Sequence, residues 1–276
     1  MNERPYEMDN DDRLIGRILS RREALSVLGA TGAAVLVGCA PGGSEPEPET
    51  TVPTQAAAAT ETEAATAVPA ADALPTCVVR PEMTEGPYFV DEQLNRPDIR
   101  SDPSSGSVKE GALLELSFRV SEVSNSTCNL LEGVFVDIWH CDAMGVYSDA
   151  ENQGFNTVGQ KFLRGYQVTD ANGIARFTTI YPGWYFSRAV HIHFKIRSEL
   201  SANSSYEFTS QLFFDDALSD QVFAAEPYAS QGQRTIRNGD DGIFQQGGSQ
   251  LLLEVSQSSS GYAATFDIGL EFATSS

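Results

Sequence analysis

Apolar and polar positions alternate with a period of two along most of the second half of the chain. Leu114, Leu116, Phe118 and Val120 are separated by Glu115, Ser117 and Arg119. In an extended strand that spacing sends the apolar set to one face and the polar set to the other. The same period runs through Val134, Val136 and Ile138 against Phe135, Asp137 and Trp139, until Asp142-Ala143-Met144-Gly145 breaks it. Asp170-Ala171-Asn172-Gly173 has the composition of a reversal, and the strand-like run beyond it ends at Ile180. Further strands are expected over residues 191–196, 208–214 and 251–255, and a last one over residues 262–272 with Ala264, Phe266, Ile268 and Leu270 on one side. No helical periodicity of comparable length competes. An all-β fold is therefore expected, a single antiparallel β-sandwich over residues 77–276.

The first part of the chain follows other rules. Residues 1–20 show no apolar period, and then Arg21 and Arg22 introduce an apolar run over residues 24–37. The run is rich in Ala and Gly and too short to span a bilayer comfortably, which favours an export signal over a transmembrane helix. Paired arginines suggest the twin-arginine route, and Leu36-Val37-Gly38-Cys39 resembles a lipoprotein cleavage box in which Cys39 takes the lipid and becomes the mature N-terminus. Residues 40–76 are dominated by Pro, Ala, Thr and Glu and contain no aromatic side chain. Such a stretch buries too little surface to offset its ordering entropy, so it is expected to be a disordered tether. The expected location is the extracytoplasmic side of a membrane, held only through the lipid on Cys39.

Composition narrows the partners. A chain of 276 residues with 41% hydrophobic side chains has enough apolar surface for one sizeable core. Its formal net charge of -20 excludes nucleic acid, and also excludes docking on an anionic membrane by charge alone. Small neutral or metal-bound substrates remain. An exported domain permits disulfides, and with Cys39 lipidated, two of Cys77, Cys128 and Cys141 are left to pair; which two stays open. No two of them have the close spacing of a structural zinc site.

The candidate chemistry gathers in residues 184–194, where two of the three histidines stand beside Tyr185 and Arg188. On a strand, His191 and His193 share one face and Ile192 and Phe194 the other, so both imidazoles can reach one metal ion. Four short motifs frame this stretch: Thr84-Glu85-Gly86-Pro87-Tyr88-Phe89, Asp137-Ile138-Trp139-His140-Cys141-Asp142-Ala143-Met144-Gly145-Val146-Tyr147-Ser148, Tyr181-Pro182-Gly183-Trp184-Tyr185 and Arg188-Ala189-Val190-His191-Ile192-His193. Together they resemble the intradiol ring-cleavage dioxygenases, most closely their exported, single-domain branch. The likeness runs from about residue 77 to the C-terminus and takes in Phe162-Leu163-Arg164-Gly165-Tyr166-Gln167 and Asn238-Gly239-Asp240-Asp241-Gly242-Ile243-Phe244. The helical N-terminal domain of the catechol 1,2-dioxygenases has no counterpart in this chain, so no dimer contact of theirs carries over and the oligomeric state stays open.

The resemblance implies a non-haem Fe(III) held by Tyr147, Tyr185, His191 and His193, with a water-derived hydroxide completing the site. It implies an enzyme that inserts both atoms of O2 into a small aromatic diol to give a cis,cis-muconate. Tyr185 is then the ligand that leaves and accepts a substrate proton, Arg188 stabilises the anionic ring, and Gln211 stands beside the iron. Phenolate is a hard anionic donor suited to ferric iron, and neutral imidazole suits it as well. His140, outside the ligand pattern, is expected either to be structural or to support the ligands from behind, and Trp139 to be core. A rival of another class is a non-catalytic binding module on a lipid anchor. The presence of the full Tyr, Tyr, His, His set argues against it.

Overall fold

A computed structural model describes residues 78–271, apart from residues 125–126, 153 and 201–205. The expected export signal, Cys39, the tether and Cys77 lie outside the described residues.

Strand β1, Leu113–Ser124, buries every second side chain from Leu114 to Val120, as its alternation requires. It lies inside the first sheet. On one side it pairs antiparallel with β5 (Ile174–Ile180), and further along with β2 (Thr127–Leu130). On the other side it pairs with β9 (Gly261–Leu270), in register Leu114↔Tyr262 and Phe118↔Phe266, and β8 (Val255–Ser258) closes the order antiparallel to β9. The second sheet has the order β4 (Arg164–Val168), β3 (Phe135–Trp139), β6 (His191–Arg197) and β7 (Glu207–Phe213), all antiparallel. The inner faces meet through aromatic rings: Phe118 of the first sheet lies 5.2 Å from Phe194 of the second, and Phe266 lies 5.7 Å from Phe194, centroid to centroid. Each such ring contributes about 1.5–3 kcal/mol by leaving water. The all-β sandwich is thus the fold, with one departure from the antiparallel expectation, since β1 and β9 run parallel.

Other differences are local. The strand expected over residues 251–255 begins only at Val255. Leu251 and Leu253 are buried, but against β7: Leu253 N–H donates to Phe213 O at 2.8 Å, and Leu252 bridges Phe213. Helix α1, Asp216–Phe223, went unforeseen because eight residues give a 3.6-residue period too few turns to register. Its start is nonetheless written in the sequence, where the Asp215 carboxylate accepts the Leu218 amide at 2.9 Å as an N-cap. Cys141 is buried and free, whereas Cys128 is disulfide-bonded. Among the described residues no helix is long and apolar enough to cross a membrane.

Candidate metal centre

All seven residues of β6 are buried, because the strand is covered on both faces. Ile192, Phe194 and Ile196 enter the core between the sheets. His191, His193, Lys195 and Arg197 point the other way, and residues 84–91 are strapped across that face. Lys195 pairs with Glu85 and Glu207, and Arg197 pairs with Asp91 and Asp137 at 3.2 and 2.8 Å. The strap sets Tyr88 against Tyr147 and Tyr185, and Phe89 against Trp139 and the head of Lys195. Register does the rest: His193 stands between Trp139 of β3 and Gln211 of β7.

Two loops deliver the tyrosines. After β3 the chain turns on Asp142, whose Oδ1 accepts the amides of Met144 and Val146 at 3.0 Å each. Gly145 has φ +77°, and a Cβ there would meet Trp184 O at 2.3 Å; a Cβ on Gly183 would meet the carbonyls of Asp142 and Ala143 at 2.5 Å. The loops carrying Tyr147 and Tyr185 pack backbone to backbone through these two glycines. Tyr147 is 1% exposed and its carbonyl accepts Thr157 Oγ1 at 2.6 Å. Tyr185 is only half-buried, and the next residue, Phe186, is 61% exposed.

The four side chains converge on His191 Nε2. His193 Nε2 is 3.0 Å away, Tyr185 Oη 3.3 Å and Tyr147 Oη 3.5 Å. His191 Nδ1 donates to Ala189 O at 2.7 Å, which leaves Nε2 as the bare nitrogen. Burial, and next the positive charge of Arg188, hold both imidazoles far below their ordinary pKa, so both are neutral. The short contact between them then needs a proton on His193 Nε2. A metal ion would take the place of that proton. His193 Nδ1 is buried without a hydrogen-bond partner among the described residues.

Arg188 and Gln211 are brought to the same place. Arg188 is fully buried: its Nε donates to Asp241 Oδ2 at 3.0 Å and its Nη2 to Gln211 Oε1 at 2.6 Å. Gln211 Nε2 donates in turn to Thr84 O at 2.9 Å. Neither side chain is a surface polar group. His140 stands apart, as expected, with its ring nitrogens on Cys141 O and Thr179 Oγ1 and its pKa lowered to about 4 by burial. Trp139 is core, as expected, and does more. It is buried but walls the site, stacked on His193 at 5.1 Å and an interplanar angle of 6°.

Several neighbours were not singled out from sequence. Tyr88 stacks on Tyr147 at 4.4 Å and 18°, and Phe155 lies 6.4 Å from Tyr88. Arg164 is buried behind Tyr147. Its Nε donates to Ser148 Oγ at 2.8 Å, its Nη1 to Tyr88 O at 2.5 Å, and its Nη2 to Ser148 O. Burial lowers its pKa to about 10 against the opposing pull of Tyr147 and two carboxylates. Only the motif Phe162 to Gln167 hinted at it.

The donor set fits a ferric ion. Among the described residues no group of three or more His, Cys, Asp or Glu could hold a metal, so the two imidazoles need the two phenols to make a coordination set. Hard phenol oxygens with neutral imidazole nitrogens, in a buried pocket beside a cation, suit Fe(III) better than a soft metal. His191 also has the outward N–H···O=C anchor usual for a ligating histidine.

The family profile described as Dioxygenase matches residues 84–271. Among solved structures, an intradiol ring-cleavage dioxygenase from Tetranychus urticae is 29% identical, with a TM-score of 0.61 over 71% of this chain and 95% of that one. The dioxygenase domain of a dioxygenase–carbohydrate-binding protein fusion from a Streptomyces species is also 29% identical, with a TM-score of 0.50 over 71% of this chain and 100% of that one. A catechol 1,2-dioxygenase from Acinetobacter radioresistens shares the fold at 19% identity and a TM-score of 0.50, over 72% of this chain and 65% of that one. No curated protein matches the chain.

Proposed function

Since the chain belongs to the intradiol ring-cleavage dioxygenase family, we propose that it opens a catechol-type ring between its two hydroxyls with O2, giving a cis,cis-muconate, and that Tyr147, Tyr185, His191 and His193 hold a non-haem Fe(III) for the purpose. The observation that carries this reading is the convergence of two phenol oxygens and one imidazole nitrogen within 3.5 Å of His191 Nε2, with no group of three His, Cys, Asp or Glu able to hold a metal among the described residues. When bound, ferric iron supplies a Lewis acid that draws a diol in as its anion and makes the ring reactive toward O2.

The protein's own residues do the rest. Tyr185, half-buried on the more open loop, would be the ligand free to accept a substrate proton at Oη, while Tyr147, pinned by Thr157 and stacked under Tyr88, would remain a holder of the ion. Arg188, held between Asp241 and Gln211, presents a fixed positive charge to the ring as negative charge develops on it. Trp139, Tyr88 and Phe155 make the wall that keeps water from the reacting ring. We further propose that residues 1–39 export the protein and that Cys39 anchors it in a membrane. The test is to load the purified protein with Fe(III), record its visible spectrum and follow oxygen uptake with a panel of catechols. A red-brown tyrosinate band and stoichiometric ring cleavage are expected; a colourless, iron-free protein inert to every diol would refute the reading.

A further inference from the structure

The motif Asn238 to Phe244 stands out in the sequence, and so far it has entered only through the bond from Arg188 to Asp241. Its two adjacent aspartates have opposite fates: Asp240 is exposed and Asp241 is 1% exposed. Asp241 reaches in from the loop beyond α1. Its Oδ1 accepts the amides of Ile243 and Phe244 at 2.7 and 3.1 Å, which fixes the carboxylate to its own loop. Its Oδ2 accepts two donors from the segment before β6, Arg188 Nε at 3.0 Å and the Ala189 amide at 2.8 Å. The carbonyl of that same Ala189 takes the Nδ1 proton of His191 at 2.7 Å. One carboxylate therefore grips Arg188 directly and His191 through the backbone of Ala189.

We propose that Asp241 is the positioning residue of the site, orienting the Arg188 guanidinium and, through the Ala189 backbone, fixing the tautomer and ring orientation of His191. It touches neither substrate nor metal. This rests on the metal reading given above for its benefit to iron retention, but the His191 tautomer is a property of the chain itself. An amide cannot substitute: Asp241→Asn would turn an NH2 group either toward Arg188 Nε and Ala189 N or toward the amides of Ile243 and Phe244, donor against donor.

The test uses the full chain with Asp241→Asn, the exposed neighbour Asp240→Asn as control, Arg188→Gln, and Arg188→Gln combined with Asp241→Asn. The double variant avoids a buried guanidinium without its carboxylate, which could unfold Asp241→Asn by itself. The 15N shifts of the His191 ring after iron removal report which nitrogen carries the proton, and competition with a chelator reports iron retention. Wild type, Asp240→Asn and Arg188→Gln should show the proton on Nδ1 and retain iron alike. Asp241→Asn and the double variant should show a mixture of His191 tautomers and hold iron about 10–100-fold less tightly, the usual effect of losing support behind a ligand. A double variant with the tautomer and iron affinity of Arg188→Gln would overturn the proposal, as would an Asp241→Asn protein that loses only thermal stability. A wild type that takes up no iron would refute the metal reading, while the tautomer comparison would still decide the role of Asp241.

Discussion

Tyr147 and Tyr185 are the same phenol held with different firmness, one 1% exposed and pinned through its carbonyl, the other half-buried beside an exposed Phe186. Tyr185→Phe should still bind iron, lose part of the charge-transfer band at rest, and match the wild-type spectrum once an anaerobic catechol is bound. Its turnover should fall about a hundredfold to ten-thousandfold, the worth of a positioned proton acceptor. Tyr147→Phe should differ from wild type in both states, and two substrate complexes departing equally from wild type would sink the distinction. Arg188→Ala should keep iron and colour but turn over about a hundredfold to a thousandfold more slowly, since it removes one preorganised charge; unchanged kcat with a good catechol would leave Arg188 a structural role only. Much of this centre was readable because His191 and His193 lie one strand period apart and Tyr147 and Tyr185 sit in recognisable motifs. Trp139 and Asp241 were not readable in their roles. Trp139 meets His193 through cross-strand register, and Asp241 meets Arg188 across 53 positions of sequence, neither of which a local pattern encodes.

Strands β3 and β6 carry the outward stripe on which the strap and the site rest, and one pair between them has a measurable pH signature. Asp137 on β3 is buried against Arg197 on β6, and loss of hydration outweighs the guanidinium's attraction, raising its pKa from 3.8 to about 6. A carboxyl whose folded pKa lies above its unfolded one stabilises the fold in its protonated form. That contribution is complete below about pH 4 and lost as pH rises through about 6. Thermal unfolding across this window should show wild type losing Tm relative to Asp137→Asn as pH rises, and a wild type that gains on the variant instead would mean that Arg197's attraction dominates. At this scale the alternation of Leu114 to Val120 and of Ala264 to Leu270 was sufficient to place β1 and β9. It failed at residues 251–255, where apolar spacing reflects packing of Leu251 and Leu253 on β7 by a chain that is not yet a strand.

For the whole molecule, the reading of residues 1–39 makes a clean separation. Cys39→Ser should move the protein from the membrane to the soluble fraction with its iron and turnover unchanged, because the residues proposed to be catalytic all lie in the sandwich; wild-type protein found soluble in the cytoplasm would refute the anchor. The pairing of β1 with β9 has a consequence of another kind, in time. Leu114 lies against Tyr262 and Glu122 against Leu270, so an inner strand made early waits for one made last. At ~5–20 residues per second of synthesis, that edge of β1 stays open for on the order of ten seconds. During this interval its unpaired amides and carbonyls can recruit another chain. A protein ending before Gly261 should therefore collect in aggregates rather than as a smaller soluble sandwich, and nascent chains should resist protease only after β9 has cleared the ribosome.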